Sequence, residues 1–391
     1  MIRARALLLV AAMTGLGFGI TAVAAVPHGK TREEWRKTMH HTPAPQVGCF
    51  HASYPSTEWK AVKCAPPPGY RSARPQKLNS EQVGGATGVS NDLVAQAPSG
   101  FFFSNVEGSF LSARDVTSET GVGVPNYNNE GILGPNEYTL QVNSNITHSA
   151  ACGSYTNCKA WQQYVMSTNT PVSLTSSSLT NETEVFIEYW LFNYGVDNNN
   201  GANICPSGFV DAGKDPTGTG DDCVQNTPAT EIYSGQLPIT ALADLTLSGS
   251  ATANGVDAAT VTYGGEAFVA TVADSHTDIA SVWNQAEFNV VGNAGGSEAE
   301  FNSGASLIVQ VAVTDGSTTA PSCALNSGTT GESNNLNFVP SNSSPVCCPF
   351  GGASPGLVFM ESSATLAAPT CAYLQHPYAW LAPVVSLILS N

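Results

Sequence analysis

Apolar and polar residues alternate in short runs along the chain, and no long stretch carries the 3.6-residue period of a helix. Turn residues (Gly, Asn, Asp, Ser, Pro) punctuate the runs. Strands are predicted at Gly100–Phe103, Glu137–Asn143, Ala160–Ser167, Glu184–Tyr194, Ala243–Ser250, Ala258–Tyr263, Glu266–Val272, Trp283–Val291 and Ser306–Val313. Gly331 to Cys348 reads as a loop, followed by strands near Leu357–Glu361 and Trp380–Leu389. The spacing predicts one all-β domain over residues 81–391, a sandwich or jelly roll. The one helical signal is short and lies within His28 to His41.

Alternation assigns faces, because successive strand side chains point to opposite sides. In Val185–Tyr194, Val185, Ile187, Tyr189 and Leu191 suit a core, which leaves Phe186, Glu188, Trp190, Phe192 and Tyr194 on the other face. In Trp283–Val291, Ala286, Phe288 and Val290 are core-like, opposite Trp283, Gln285, Glu287 and Asn289. Trp161 and Gln163 share a face of their strand, and Gln141 lies opposite the apolar set of Tyr138–Asn143. Three strands thus present carboxyl or amide groups beside Trp on a face turned from the core. An aromatic-lined groove with a few polar groups is the expected site for a polymer ligand.

The N-terminus changes the picture of where the chain works. Met1-Ile-Arg-Ala-Arg precedes an apolar run from Ala6 to Ile20 and small residues at Ala22, Ala24 and Ala25. That is the pattern of a cleavable signal peptide over residues 1–25, too short to span a bilayer, so a secreted protein with no membrane partner is expected. Ten cysteines, an even number, then read as a disulfide set. Close spacing pairs Cys49 with Cys64, Cys152 with Cys158, and Cys205 with Cys223, and leaves Cys323, Cys347, Cys348 and Cys371 unassigned. No Cys-x-x-Cys occurs and no His falls at ligand spacing beside a Cys, so no metal site and no cofactor are expected.

Charge divides the chain. Eleven of the 14 basic residues precede residue 80, whereas residues 81–391 hold three basic and 27 acidic residues, a formal charge of −24. Such a body repels phosphates, which excludes nucleic acid as a partner, and it suits acidic surroundings, where protonation relieves self-repulsion. Residues 26–80 form a basic, Pro-rich segment, either a pro-segment that docks on the acidic body or a spacer. The Cys49–Cys64 loop implies that part of it is folded. Nothing in the sequence points to a partner subunit, so a monomer is expected.

At the strands above, the sequence resembles the glutamic peptidases, or eqolisins. The similarity is carried by Trp283-Asn-Gln-Ala-Glu-Phe-Asn-Val-Val-Gly292 and Glu300-Phe-Asn-Ser-Gly304, and more weakly by Cys158 to Tyr194. It implies a concanavalin A-like jelly roll of two antiparallel sheets, and an acid endopeptidase acting on extended polypeptide. The family's catalytic Glu falls on Glu287 and its catalytic Gln near Gln163, with Gln162 and Gln141 competing for that role. The chain departs from the family in having Phe288 where Trp is familiar, and in lacking an evident Gly-rich segment before the Gln. The resemblance implies that Glu287 acts as general base on a water and Gln163 as oxyanion donor, while Glu188 shapes the groove. A free Glu titrates near pH 4.3, so such a base works in acid.

Two other readings use the same residues. Glu188 and Glu287 could be the paired carboxyls of a glycosidase, with Trp161, Trp190 and Trp283 stacking on sugars. The domain could also be a non-catalytic glycan-binding module, whose Asp/Asn-rich runs (Asp197 to Asn200, Asp221-Asp222) read more simply as turns than as calcium ligands. His-Glu-x-x-His and P-loop motifs are absent from the sequence.

Overall fold

The structure, a computed structural model, describes residues 31–73, 87–88, 92–173, 176–197, 203–325, 327–339 and 347–376. The signal-peptide residues and the strand expected at Trp380–Leu389 lie outside them. Two large antiparallel sheets pack face to face as an all-β sandwich. The front sheet runs Val210–Lys214, Asp221–Asn226, Thr183–Tyr194, Lys159–Ser167, Tyr138–Ser144, Gln285–Gly292, Val94–Gln96, Ser322–Ala324, with Thr230–Tyr233 also paired to Thr183–Tyr194. The centre of the back sheet is Glu266–Ala273, Val256–Tyr263, Thr246–Ser250, Asn105–Arg114, Ser306–Thr314 and Gly356–Ser362. A third, five-stranded sheet includes Glu119–Val122 and Glu298–Phe301.

The faces follow the alternation. Leu140, Val142, Tyr164, Met166, Val185, Ile187, Leu191, Phe288 and Val290 from the front sheet share one buried cluster with Val106, Phe110, Leu247, Val261, Leu307, Val309 and Phe359 from the back. Two glycines set how closely the sheets approach. A Cβ on Gly249 would lie 2.2 Å from the Tyr164 ring, and one on Gly108 would lie 2.1 Å from the Phe288 ring. Each glycine is the hole into which an aromatic from the facing sheet fits, the tight packing expected of protein interiors.

Residues 31–64 are built into the back sheet. The helix Arg32–His40 has a reciprocal cap between Thr31 and Glu34 and buries Trp35 and Met39 against Ala52 and Ala267. Buried His40 hydrogen-bonds Ser248 Oγ (2.8 Å) and Thr262 Oγ1 (2.9 Å). Cys49–Ser53 pairs antiparallel with Glu266–Ala273. Five disulfides form: the three expected local pairs, then Cys323–Cys347 and Cys348–Cys371. Disulfides on this scale fit an oxidising compartment. Among the described residues no helix is long and apolar enough to cross a membrane.

Two expected elements differ. Gly100–Phe103 is a turn followed by irregular chain, because Gly100 has φ +84° and the Phe101 N–H closes onto Pro98 O. The stretch read as a loop after Gly331 contains the short strands Ser333–Asn334 and Asn337–Phe338.

Candidate functional site

Register brings the chemistry-bearing residues of the front sheet into one line. Across its outer face Asn226 pairs with Glu188, Glu188 with Gln163, Gln163 with Asn143, and Asn143 with Glu287. Adjacent strands lie about 4.8 Å apart, so the backbones at Gln163 and Glu287 are about 10 Å apart and those at Glu188 and Glu287 about 14 Å. Gln141, Gln163, Glu188 and Glu287 all occupy the expected face. Gln162 points the other way, into the core, where its Nε2 donates to Asp257 Oδ2 and Tyr164 Oη (both 2.9 Å). Strand parity thus puts Gln163, and not Gln162, on the outer face with Glu188 and Glu287.

An amide relay links the line. Gln163 Nε2 donates to Gln141 Oε1 and Asn143 Oδ1 (both 3.1 Å), and Asn143 Nδ2 donates to Gln141 Oε1 (3.2 Å) and Glu287 Oε2 (3.4 Å). Asn143 is therefore the amide that touches Glu287, a role the sequence reading did not give it. Its parity with Gln141 put it on the right face, but only the cross-strand register shows that it stands between Gln163 and Glu287. Glu287 Oε2 also accepts Thr329 N (2.7 Å) and Thr329 Oγ1 (2.8 Å). Glu287 Oε1, Gln163 Oε1 and Glu188 Oε2 are buried without a hydrogen-bond partner among the described residues. Buried polar atoms are rarely left so, and three along one line mark a place where water or a ligand group is wanted.

Glu188 Oε1 accepts Trp190 Nε1 and the Ser72 N–H, both at 2.9 Å. Burial pushes its pKa up to about 8, against those two hydrogen bonds, and the nearby Glu332 adds to the rise. Glu332 accepts the N–H groups of Ala73 (2.8 Å) and Gly296 (3.1 Å), and burial raises its pKa too.

The tryptophans depart from expectation. Trp161 and Trp190 are on the predicted face but buried, both stacked with Phe192 and packed with Val224. They are closed to a sugar ring. Trp283 belongs to the core, stacked on Tyr164 at 5.4 Å. A turn over Ile279–Ser281 precedes it and its N–H bonds Ile279 O, so alternation begins only where the ladder does, at Gln285. Gln285 is partly exposed and donates to Gln96 Oε1 (2.7 Å) at the edge of the site.

The groove is not open. Residues 65–73 cross it as an irregular segment held through its own main-chain groups. Ala65 bridges Ala229, Gly69 N donates to Pro171 O (2.7 Å), and Asn226 Nδ2 donates to Pro68 O (2.9 Å) and Tyr70 O (2.7 Å). Gly295 N then donates to Arg71 O (3.0 Å), Ser72 N to Glu188, Ala73 N to Glu332, and Gly331 N to Ala73 O (2.8 Å). At the other end, residues 327–330 cover Glu287. A Cβ on Gly328 would lie 2.8 Å from Asp92 Cβ and 3.1 Å from Glu287 Oε1. Gly328→Ala is therefore expected to lower stability by about 1–3 kcal/mol. A melting temperature at pH 4 equal to that of the wild type would show that this loop is not closed over Glu287.

Among known proteins, no family model and no curated protein matches the chain.

Proposed function

We propose that the chain is a secreted acid endopeptidase of the glutamic type, with its own N-terminal segment lying in the substrate groove. The observation that carries this reading is the mode in which residues 65–73 are held. An extended polypeptide lies over the carboxyl and amide line, gripped through main-chain groups at Gly69, Tyr70, Arg71, Ser72 and Ala73. Main-chain capture is how a groove accepts polypeptide with little regard to sequence.

In this reading Glu287 is the general base. Thr329 and Asn143 hold its Oε2, and Oε1 remains to take a proton from water. The hydroxide formed attacks the scissile carbonyl carbon. The oxyanion is taken by the Asn143 N–H that makes the long 3.4 Å contact to Glu287, while Gln163 holds the Asn143 oxygen. Glu287 then returns the proton to the departing amine as the C–N bond breaks. Glu188, kept protonated by burial through the acid range, shapes the groove without adding a charge beside the base.

The glycosidase reading loses its support. Glu188 and Glu287 do not flank an open cleft: Gln163 and Asn143 stand between them, Ser72 covers the Glu188 carboxyl and Thr329 that of Glu287. The tryptophans meant for sugars are buried. The test is to offer the full chain, in acid, an unfolded protein and a panel of β-linked polysaccharides. New α-amino groups from the protein with the polysaccharides intact are expected. The reverse pattern would replace the peptidase with a glycosidase.

A further inference from the structure

We infer that the groove contains a subsite for a tyrosyl side chain, filled in this structure by Tyr70, so that extended polypeptides bearing tyrosine are its preferred ligands. The inference rests on the reading of this face as a polypeptide groove and names the substrate class that face selects.

Along the bound segment, side chains alternate as in a strand. Pro68, Tyr70 and Ser72 are buried, while Gly69, Arg71 and Ala73 are less so. Only one of the inward positions takes a large side chain. The Tyr70 ring is fully buried, edge-on to Phe186 at 5.2 Å, and packed with Val165, Ala229 and Ala294. Its hydroxyl accepts a hydrogen bond from Gln141 Nε2 at 3.0 Å.

That contact is chemically directed. Gln141 Oε1 already accepts from Gln163 and Asn143, so the amide is fixed with its N–H₂ toward the tyrosine. A phenylalanine in the same pocket would leave one buried N–H unpaired, and sites built to bond a hydroxyl reject the analogue that lacks it. The same Gln141 amide joins the relay that ends on Glu287, so occupancy of the subsite is sensed one hydrogen bond from the Asn143 amide. Two residues beyond the tyrosine, the Ser72 N–H meets Glu188, which fixes the register of the chain in the groove.

The test uses the full chain carrying Tyr70→Ala, which vacates the pocket, and Glu287→Gln, which on the proposed function stops turnover. Labelled nonapeptides Ala-Pro-Pro-Pro-Gly-Tyr-Arg-Ser-Ala, and versions with Phe or Ala in place of Tyr, are titrated at pH 4. The tyrosine peptide is expected to bind about tenfold or more tighter than the phenylalanine peptide, and the alanine peptide weakest. Adding Gln141→Leu should erase the step between Tyr and Phe and keep the step between Phe and Ala. Equal binding of the three peptides, or binding of none, overturns the inference. A second readout needs no substitution. In the wild-type chain, the tyrosine peptide should displace the resident segment and speed trypsin cleavage after Arg71, at concentrations where the alanine peptide does nothing; equal effects overturn the inference. Tyrosine-dependent binding by a chain that cleaves no protein would remove the peptidase and leave the subsite. Cleavage with no tyrosine preference would do the reverse.

Discussion

Thermal unfolding followed across pH is expected to show greatest stability near pH 4 and a steep loss from about pH 5 to pH 8. Burial raises the pKa of Glu188, Glu361 and Glu119 to about 8, and of Glu184 and Asp257 to about 7. All five are at most 2% exposed. Between their ordinary values of 4.5 for Glu and 3.8 for Asp and these raised ones, the folded chain binds more protons than the unfolded chain. Stability therefore falls as pH rises, by about 1.4 kcal/mol per pH unit for each group in its window. His40 works in the opposite sense. Burial, and then the Arg36 charge, lower its pKa to about 3, so the folded chain resists its protonation and stability rises with pH up to the ordinary value of 6.5. Between pH 3 and 4 that slope dominates. Above 4.5 several carboxyls outweigh one imidazole, and the acidic body adds self-repulsion in the same direction. A melting temperature that climbs from pH 4 to pH 8 would contradict this balance.

Gly249→Val is expected to cost about 3 kcal/mol or more, or to prevent folding. Overpacking a filled core commonly costs 1–3 kcal/mol, and here the first added carbon would lie 2.2 Å from the Tyr164 ring, with no room left for the second and third. Tyr164 cannot swing away, since it stacks on Trp283 and its hydroxyl is bonded by Gln162. Its strand must move instead, and Gln163 is the next residue on that strand. Denaturant unfolding at pH 4 measures the loss as a lower midpoint at unchanged slope. A variant as stable as the wild type would mean that the sheets are packed in another register.

The same glycines explain part of what the sequence concealed. Asn105–Arg114 carries no readable strand pattern because Gly108 stands at a core position where alternation asks for an apolar side chain; Phe288 from the other sheet supplies the bulk. Elsewhere alternation was informative on both faces, so Gln141, Gln163, Glu188 and Glu287 fell on the correct side, and Gln162 was separable from Gln163 by parity alone. Trp283 failed because parity has no meaning two residues before the ladder begins. The three short cysteine spacings were readable. The adjacent Cys347 and Cys348 were not, since neighbours on a strand point to opposite faces: one enters the main core and bonds Cys323, the other enters an outer cluster and bonds Cys371.

The site itself was legible only in pieces. Which residues share a line depends on register between strands distant in the sequence, and that is why Asn143 went unremarked. Thr329 and Glu332 lie in a stretch with no strand pattern, yet they supply a donor to Glu287 and an acceptor to the bound segment. The basic character of residues 26–80 suggested docking by charge. The contacts that seat residues 65–73 join its main-chain groups to backbone partners and to the Asn226, Glu188 and Glu332 side chains, with one buried tyrosine, which counting basic residues cannot foresee.

The most direct measurement is the initial rate of cleavage of an unfolded protein between about pH 2 and pH 8 by the wild-type chain and Glu287→Gln side by side, each first incubated in acid. The account predicts cleavage by the wild type in acid only, falling away where the buried carboxyls ionise, and a loss of at least 10²-fold in the variant, the scale of a removed general base. Equal cleavage by both chains, or none by either, would contradict it and leave the line of amides and carboxyls without a catalytic role.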